Sequence, residues 1–364
     1  MAAVGGLLLF AAGCAAEAPA PWRLVTPTGV APASMFVGPA GWYVGGAGEG
    51  PVLVVRDGDA WRGVPTTPAS GYGRVATLLY LAADPAGRVV ALGTATGGAH
   101  LNPRWTAWLG NTSGIVEEPQ TVETFGGPEA GGITGVVYGD EPGVVGAWSL
   151  GPGGIGVAVW RHAGATWLRE PSRPALAGSP PAVMESATAA TAVGGSTVLV
   201  GIQTSLVAGG VHQRAVLWRS DGPGGDWRRI DLDAAAVDSA NAGRADTDSA
   251  ATDVACADDG CLVVGRSGDT LAGWQVTGDR VESVALPHRE VDRYLAEPRV
   301  ARDGQLTAIA VGDGSGLLTR RDAGPWTAST TPAGQVRTIG VDHGKVVLLL
   351  RGPDGDQQVY QGAG

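Results

Sequence analysis

No run of basic residues occurs in this 364-residue chain, and acidic side chains outnumber basic ones by 35 to 25, for a formal net charge of −10. An acidic surface repels phosphate backbones, which argues against general nucleic-acid binding. Histidine is thin as well. The five residues show no H-x-H or H-E-x-x-H spacing, so neither a metal nor any other cofactor is expected. His100, His212 and His288 fall on long links, His162 and His343 on tight turns. Asp246-Thr247-Asp248 lacks the later Glu of a calcium loop and reads as a solvated acidic stretch. No G-x-S-x-G or Walker-type motif occurs either.

Long apolar runs are missing too. Val4 to Ala12 (VGGLLLFAA) is far shorter than the roughly 20 residues that cross a bilayer. It reads instead as a targeting segment. It ends at Gly13-Cys14, ahead of the polar, Pro-rich AAEAPAP. This resembles the lipobox of bacterial lipoproteins, which implies lipidation of Cys14 and an anchored, extracytoplasmic protein. Ala11 stands where that motif usually has Leu or Val, and no Lys or Arg precedes the apolar run. The alternative is an ordinary signal peptide and a secreted protein. The expected organisation is a signal peptide over 1–13, a short anchored linker over 14–20 and one domain over 21–364.

Cysteine is nearly absent, with three residues in all. Cys256 and Cys261 flank ADDG, a stretch suited to a tight hairpin turn. That places the thiols across from each other, and a disulfide between them would persist in an oxidising compartment. Two buried free thiols are the alternative.

Phenylalanine and tyrosine are scarce, at three and six residues, against twelve Trp. Such a bias points to one structural position used repeatedly. Abundant Gly and Pro, 60 and 24 residues, imply many turns. VAVWRHAGATWLREP (157–171) shows the repeating pattern: an apolar strand ending in an aromatic, a Gly turn, and a second Trp. AVLWRSDGPGGDWRRI (215–230) repeats it, and four further segments, 52–68, 105–119, 271–287 and 316–332, vary one aromatic or the other. Upstream of each lies another hairpin rich in Val, Leu and Ile, such as RTIGVDHGKVVLLLRG (337–352). Alternation on both sides of a tight turn marks a β-hairpin. The unit is therefore four strands, a to d. Equivalent c-strand positions are Val55, Trp108, Trp160, Trp218, Trp274, Thr319 and Tyr360, which lie 41 to 58 residues apart. Known propeller repeats run to roughly 40–50 residues.

The seventh unit stops after strand c. PWRLVTPTG (21–29) resembles the d strands AWRGVPTTP and PWTASTTP, so the head of the chain is expected to complete the tail. The fold class read here is all-β: a seven-bladed β-propeller with four antiparallel strands per blade, closed by strand 21–29. Repeated Trp residues then serve inter-blade packing rather than a ligand.

The turn Ser220-Asp221-Gly222-Pro223-Gly224-Gly225-Asp226-Trp227 resembles the Asp-box of bacterial neuraminidase-type repeats, with Ser, Gly and Trp in register and Asp221 one residue early. RHAGATW (161–167) keeps Gly164 and Trp167. In that group the box is a fold element, so the resemblance implies a propeller and no activity. The Arg-Ile-Pro signature of sialidases is absent. Arg74, Arg299 and Arg337 nevertheless lie at or near the start of a strands, where they could converge on a central mouth and clamp a carboxylate. Asp253 and Glu185, on other a strands, could be their partners. Tyr72, Tyr138, Tyr294 and Tyr360 show no matching Glu motif.

Links a–b and c–d are tight, whereas d–a and b–c links are often long, as in 94–104, 120–132, 171–186, 231–250 and 288–298. In a propeller the long links share one face, the usual place for recognition. The functional expectation is a monomeric extracytoplasmic binding or scaffolding module for a protein or an envelope glycan. The alternative is a sialidase-like or lyase-like enzyme using an Arg-lined mouth.

Overall fold

The computed structural model describes residues 22–97, 102–151, 154–178, 182–208, 210–222, 224–233, 248–292 and 297–363. The expected signal peptide, Cys14 and the linker lie outside the described residues. Seven antiparallel sheets form a ring, each built from four consecutive strand positions. The innermost a strands are Ala31–Gly38, Thr77–Ala83, Ala130–Tyr138, Val183–Val193, Ser249–Ala257, Arg299–Arg302 and Gln335–Asp342. All seven residues expected on strand c are there, from Val55 in Pro51–Asp57 to Tyr360 in Gln357–Ala363.

The b strands are buried on both faces, because a blade is covered on each side by its neighbours. Lys345–Arg351 (KVVLLLR) is apolar at every interior position for that reason. Between Val193 and Ser196 the chain reverses through Gly194 and Gly195, with φ of 54° and 76°. Two positive φ values in a two-residue loop define the turn that matches strand twist, and glycine adopts them without strain. Trp108, Trp160 and Trp218 are at most 1% exposed. Trp160 packs with Trp148 and Trp167 of its own blade and with Val90 and Leu92 of the blade before it. The tryptophans therefore cement one blade to the next.

The ring closes head to tail. In blade 7, Arg23 pairs with Gln361 and Leu24 with Tyr360. The outer strand is shorter than the expected 21–29: only Arg23–Leu24 form the ladder. Val25 adds one bond, its N–H donating to Val359 O at 2.8 Å. Thr26 then substitutes a side chain for backbone, its Oγ1 accepting from Val359 N at 2.9 Å. Next comes Pro27, which has no N–H to give. Across the seam, Trp61 of blade 1 donates its indole N–H to Val25 O at 2.7 Å. Asp59 bridges Arg23 and Arg56 at 3.1 Å each. Arg56 in turn lies 5.1 and 5.3 Å from the ring centroids of Trp42 and Trp61.

Six of the seven a strands carry a β-bulge, at Ala33, Leu79, Thr134, Thr188, Thr252 and Arg337. The extra residue turns a backbone carbonyl out of the ladder, and a hydroxyl of the preceding blade takes it. Ser34 donates to Leu78 O, Tyr80 to Ile133 O, Thr134 to Ala187 O and Thr188 to Ala251 O, at 2.7 to 3.0 Å. Thr252 donates to Pro298 O at 2.8 Å in the same manner. Five successive blade junctions, from 1–2 to 5–6, thus share one clasp around the channel.

Blade 2 has a fifth strand. Thr66–Thr67, leaving blade 1, runs parallel to Ile115 and Val116 and covers that sheet's outer edge. Cys256 and Cys261 face each other in the a–b hairpin of blade 5 and are bridged.

Candidate functional site

The strand order places d–a and b–c links on one face and tight turns on the other. Blade 4 breaks the symmetry of the link face. Its b and c strands, Ser196–Val207 and Gly210–Ser220, run to 12 and 11 residues. The b strands of blades 1, 2, 5 and 7 have only 7 or 8. About four extra residues per strand raise a hairpin roughly 13 Å above its neighbours. Near its tip Leu206 and Val211 are cross-strand partners. They are 49% and 54% exposed.

Under this hairpin lies a cleft of about 380 Å³ between blades 4, 5 and 6. Ile202, Val211 and Gln213 form the hairpin wall. Thr188, Ala250 and Thr252, from the inner strands, line it toward the channel. Arg266, Val291, Asp292, Glu297 and Pro298, with Asp248, complete it. Residues 234–247 and 293–296 lie outside the described residues.

The cleft is held in place by bonds at the hairpin's outer edge. Strand d of blade 4 stops pairing at Val216, so the c strand above it needs other partners. Asp248 and Ser249 supply them: Gln213 N donates to Asp248 Oδ1 at 3.0 Å and Ala215 N to Ser249 Oγ at 2.8 Å. Ser249 Oγ in turn donates a hydrogen bond to Asp233 Oδ2, whose carboxyl burial pushes up. Arg266 is 7% exposed. Its guanidinium donates to Gln213 Oε1 and to Gly268 O.

Arg299 and Asp253 come together beside this cleft. Arg299 pairs with Glu297 at 2.6 Å and donates to Thr252 O at 3.3 Å. Asp253 accepts the Val254 and Val300 N–H groups, both at 2.9 Å. Burial pushes its carboxyl up, against the charge of Arg299 and those two bonds. Glu185 goes elsewhere. It is 1% exposed, and its Oε1 accepts from Gln203 at 2.8 Å and from Arg229 at 3.2 Å. Burial raises its carboxyl too.

Arg74 is exposed in the helical turn Gly73–Val75. Arg337, also exposed, is the bulge residue of blade 7, and its charge reaches the Tyr80 hydroxyl. Among the described residues neither makes an ion pair, and no hydrogen bond joins the three arginines to a shared side chain. Tyr72 lies under Arg104 and Tyr138 under Arg88. Tyr360 donates to Gln358, and Tyr294 is outside the described residues. His212, expected on a link, is part of the raised hairpin.

The hairpin and its cleft have only a faint signature in the sequence. The available signal was alternation on both sides of Ala208-Gly209-Gly210, with Leu206 and Val211 flanking polar Ser205 and His212.

No protein-family model and no curated protein matches the chain. Solved structures match along nearly all of it. The β-propeller domain of Cps50 (Swd1) from Myceliophthora thermophila has 11% identity and a TM-score of 0.56, over 94% of this chain and 100% of that one. YCF48 bound to D1 peptide has 11% identity and a TM-score of 0.51, over 96% of both chains. The WD40 β-propeller domain of Doa1 has 12% identity and a TM-score of 0.50, over 94% and 97%. Identities this low establish the fold, a β-propeller, and nothing finer.

Proposed function

We propose that this chain is an exported, lipid-anchored β-propeller that holds a polypeptide partner on its link face. The observation that carries the reading is the raised hairpin of blade 4, with Leu206 and Val211 exposed over a cleft on a rigid scaffold. An aliphatic pair lifted into solvent costs free energy unless something covers it. Aliphatic side chains suit a protein better than a hydroxyl-rich glycan. The likeness to YCF48 bound to D1 peptide agrees with a peptide-binding use of this fold. Cys14 carries the lipid in this reading, Cys256–Cys261 suits an oxidising compartment, and the ring acts as a monomer. Arg74, Arg299, Arg337, Asp253 and Glu185 remain the residues proposed around the central mouth, with Arg299 and Asp253 nearest the cleft.

A photo-crosslinking residue at Leu206, compared with one at Gly194 on the tight-turn face, tests the reading in the native envelope. Adducts at 206 alone that a protease removes support it. Equal labelling at both positions, or adducts removed only by glycosidases, sinks it.

A further inference from the structure

We infer that the cleft of blades 4 to 6 receives an extended peptide segment in which basic residues alternate with aliphatic ones. This rests on the polypeptide-binding reading and adds the chemistry of the partner. Size comes first. At about 380 Å³ the cleft is near the small end of ligand sites, roughly 300–1,000 Å³. It accommodates a few side chains of an extended strand and excludes a folded body.

Charge decides the next point. Among the described residues three carboxylates line the cleft, Asp248, Asp292 and Glu297, against a single lining guanidinium, Arg266. That guanidinium is almost wholly buried and already donates to Gln213 and Gly268. Glu297 is shared with Arg299 yet keeps 54% of its side chain in solvent, and Asp248 keeps 30%. The chain as a whole carries −10. Such a field attracts ammonium and guanidinium groups and repels acidic segments and anionic lipid.

Shape gives the rest. Val211 belongs both to the exposed pair near the hairpin tip and to the cleft wall, with Ile202 two rungs lower on the same face, and Val291, only 2% exposed, also lines the cleft. Down that face the apolar pair Leu206–Val211 is followed by the polar pair Thr204–Gln213 and then by Ile202, so apolar and polar surface alternate from the tip into the acidic cleft. A segment lying along it meets aliphatic and acidic contacts in alternation. An extended strand, with side chains on two sides, presents that pattern.

The test is fluorescence anisotropy on the purified protein with three labelled octapeptides. They are Gly-Gly-Lys-Leu-Lys-Leu-Gly-Gly, the same peptide with Glu for Lys, and the same with Gly for Leu. The first is expected to saturate. The other two should bind about tenfold more weakly, and added salt should weaken the first. Val211→Ser, and the pair Asp292→Asn with Glu297→Gln, should each weaken the first peptide about fivefold or more. Asp322→Asn, on the tight-turn face, should leave it unchanged. Equal binding of the charge-reversed peptide, indifference to the cleft variants, or no saturable binding of any peptide overturns the inference. Crosslinking at Leu206 is blind to charge, so a polypeptide adduct there with no peptide preference would refute only the chemistry and leave the broader reading standing.

Discussion

A methyl group placed on Gly362 would lie 2.7 Å from the indole of Trp22. The last strand is bare at that position because the indole of Trp22 lies across it. The ring is sealed by this contact and by the indole's bond to Thr330 O at 2.9 Å. Gly362→Val should force the outer strand away and open the seam. Trp22→Ala should remove its packing against the core of blades 6 and 7. We expect a loss of about 2–3 kcal/mol for each, less than a fully buried Trp because Trp22 is half-buried. Thermal unfolding checks this, and an unchanged Tm for both would contradict head-to-tail closure.

The hydroxyl clasps predict a graded series. Thr188→Val leaves the carbonyl of Ala251 without its donor. Thr134→Val and Thr252→Val do the same at the neighbouring junctions. Each should cost about 1–2 kcal/mol, since shape is kept and only a buried acceptor is orphaned. Urea midpoints should fall with little change in slope.

Two carboxyl groups should answer pH with opposite sign. Burial pushes the Asp84 carboxyl up, but the bonds and charge of Arg88 outweigh it, and its value lies below the usual range. Its stabilisation is present above the unfolded value near 3.9 and is lost as pH falls through the lower folded value. Asp84→Asn should therefore destabilise by about 1 kcal/mol at neutral pH, the partner being half-exposed, and by less near pH 3. Burial raises the Glu185 carboxyl despite Gln203 and Arg229. Its stabilisation is complete below the unfolded value near 4.3 and fades as pH climbs toward the folded one. Glu185→Gln should flatten that decline. Denaturation series from pH 3 to 8 read both, and parallel curves for wild type and the Gln variant would refute the second.

The Cys256–Cys261 bridge spans a sequence separation of only 5. Closing so small a loop restricts the unfolded chain little, so replacing both cysteines with Ala should cost roughly 2 kcal/mol. Reductant should destabilise the wild type by the same amount and leave the variant untouched.

How much of this could be read in the sequence depended on repetition. Trp160, Trp218 and their equivalents recur because each blade buries the same corner, and recurrence fixed the unit, the seven c strands and the closing partner. Features that occur once left no such trace. The raised hairpin carries polar Thr204, Ser205, His212 and Gln213 among its apolar residues, which resembles a link until the strands are seen to pair. The bulges change register without changing composition, and only the hydroxyls of Thr134, Thr188 and Thr252 hint at them. Thr66–Thr67 looked like the tail of one blade and proved to be the edge of the next. Arg299 and Asp253 were legible as residues of a strands. The cleft beside them was not, since Asp248, Arg266 and Asp292 come from separate links and strands that only the folded ring assembles.

The outer strand of blade 7 ascends, like every d strand, from the tight-turn side toward the links. Trp22 therefore sits low on the rim, on the side away from the cleft. A leash pulling on the chain ahead of Trp22 would draw that rim toward whatever holds it. The ring would rest on its back like a dish, with the blade 4 hairpin standing up into the space beyond.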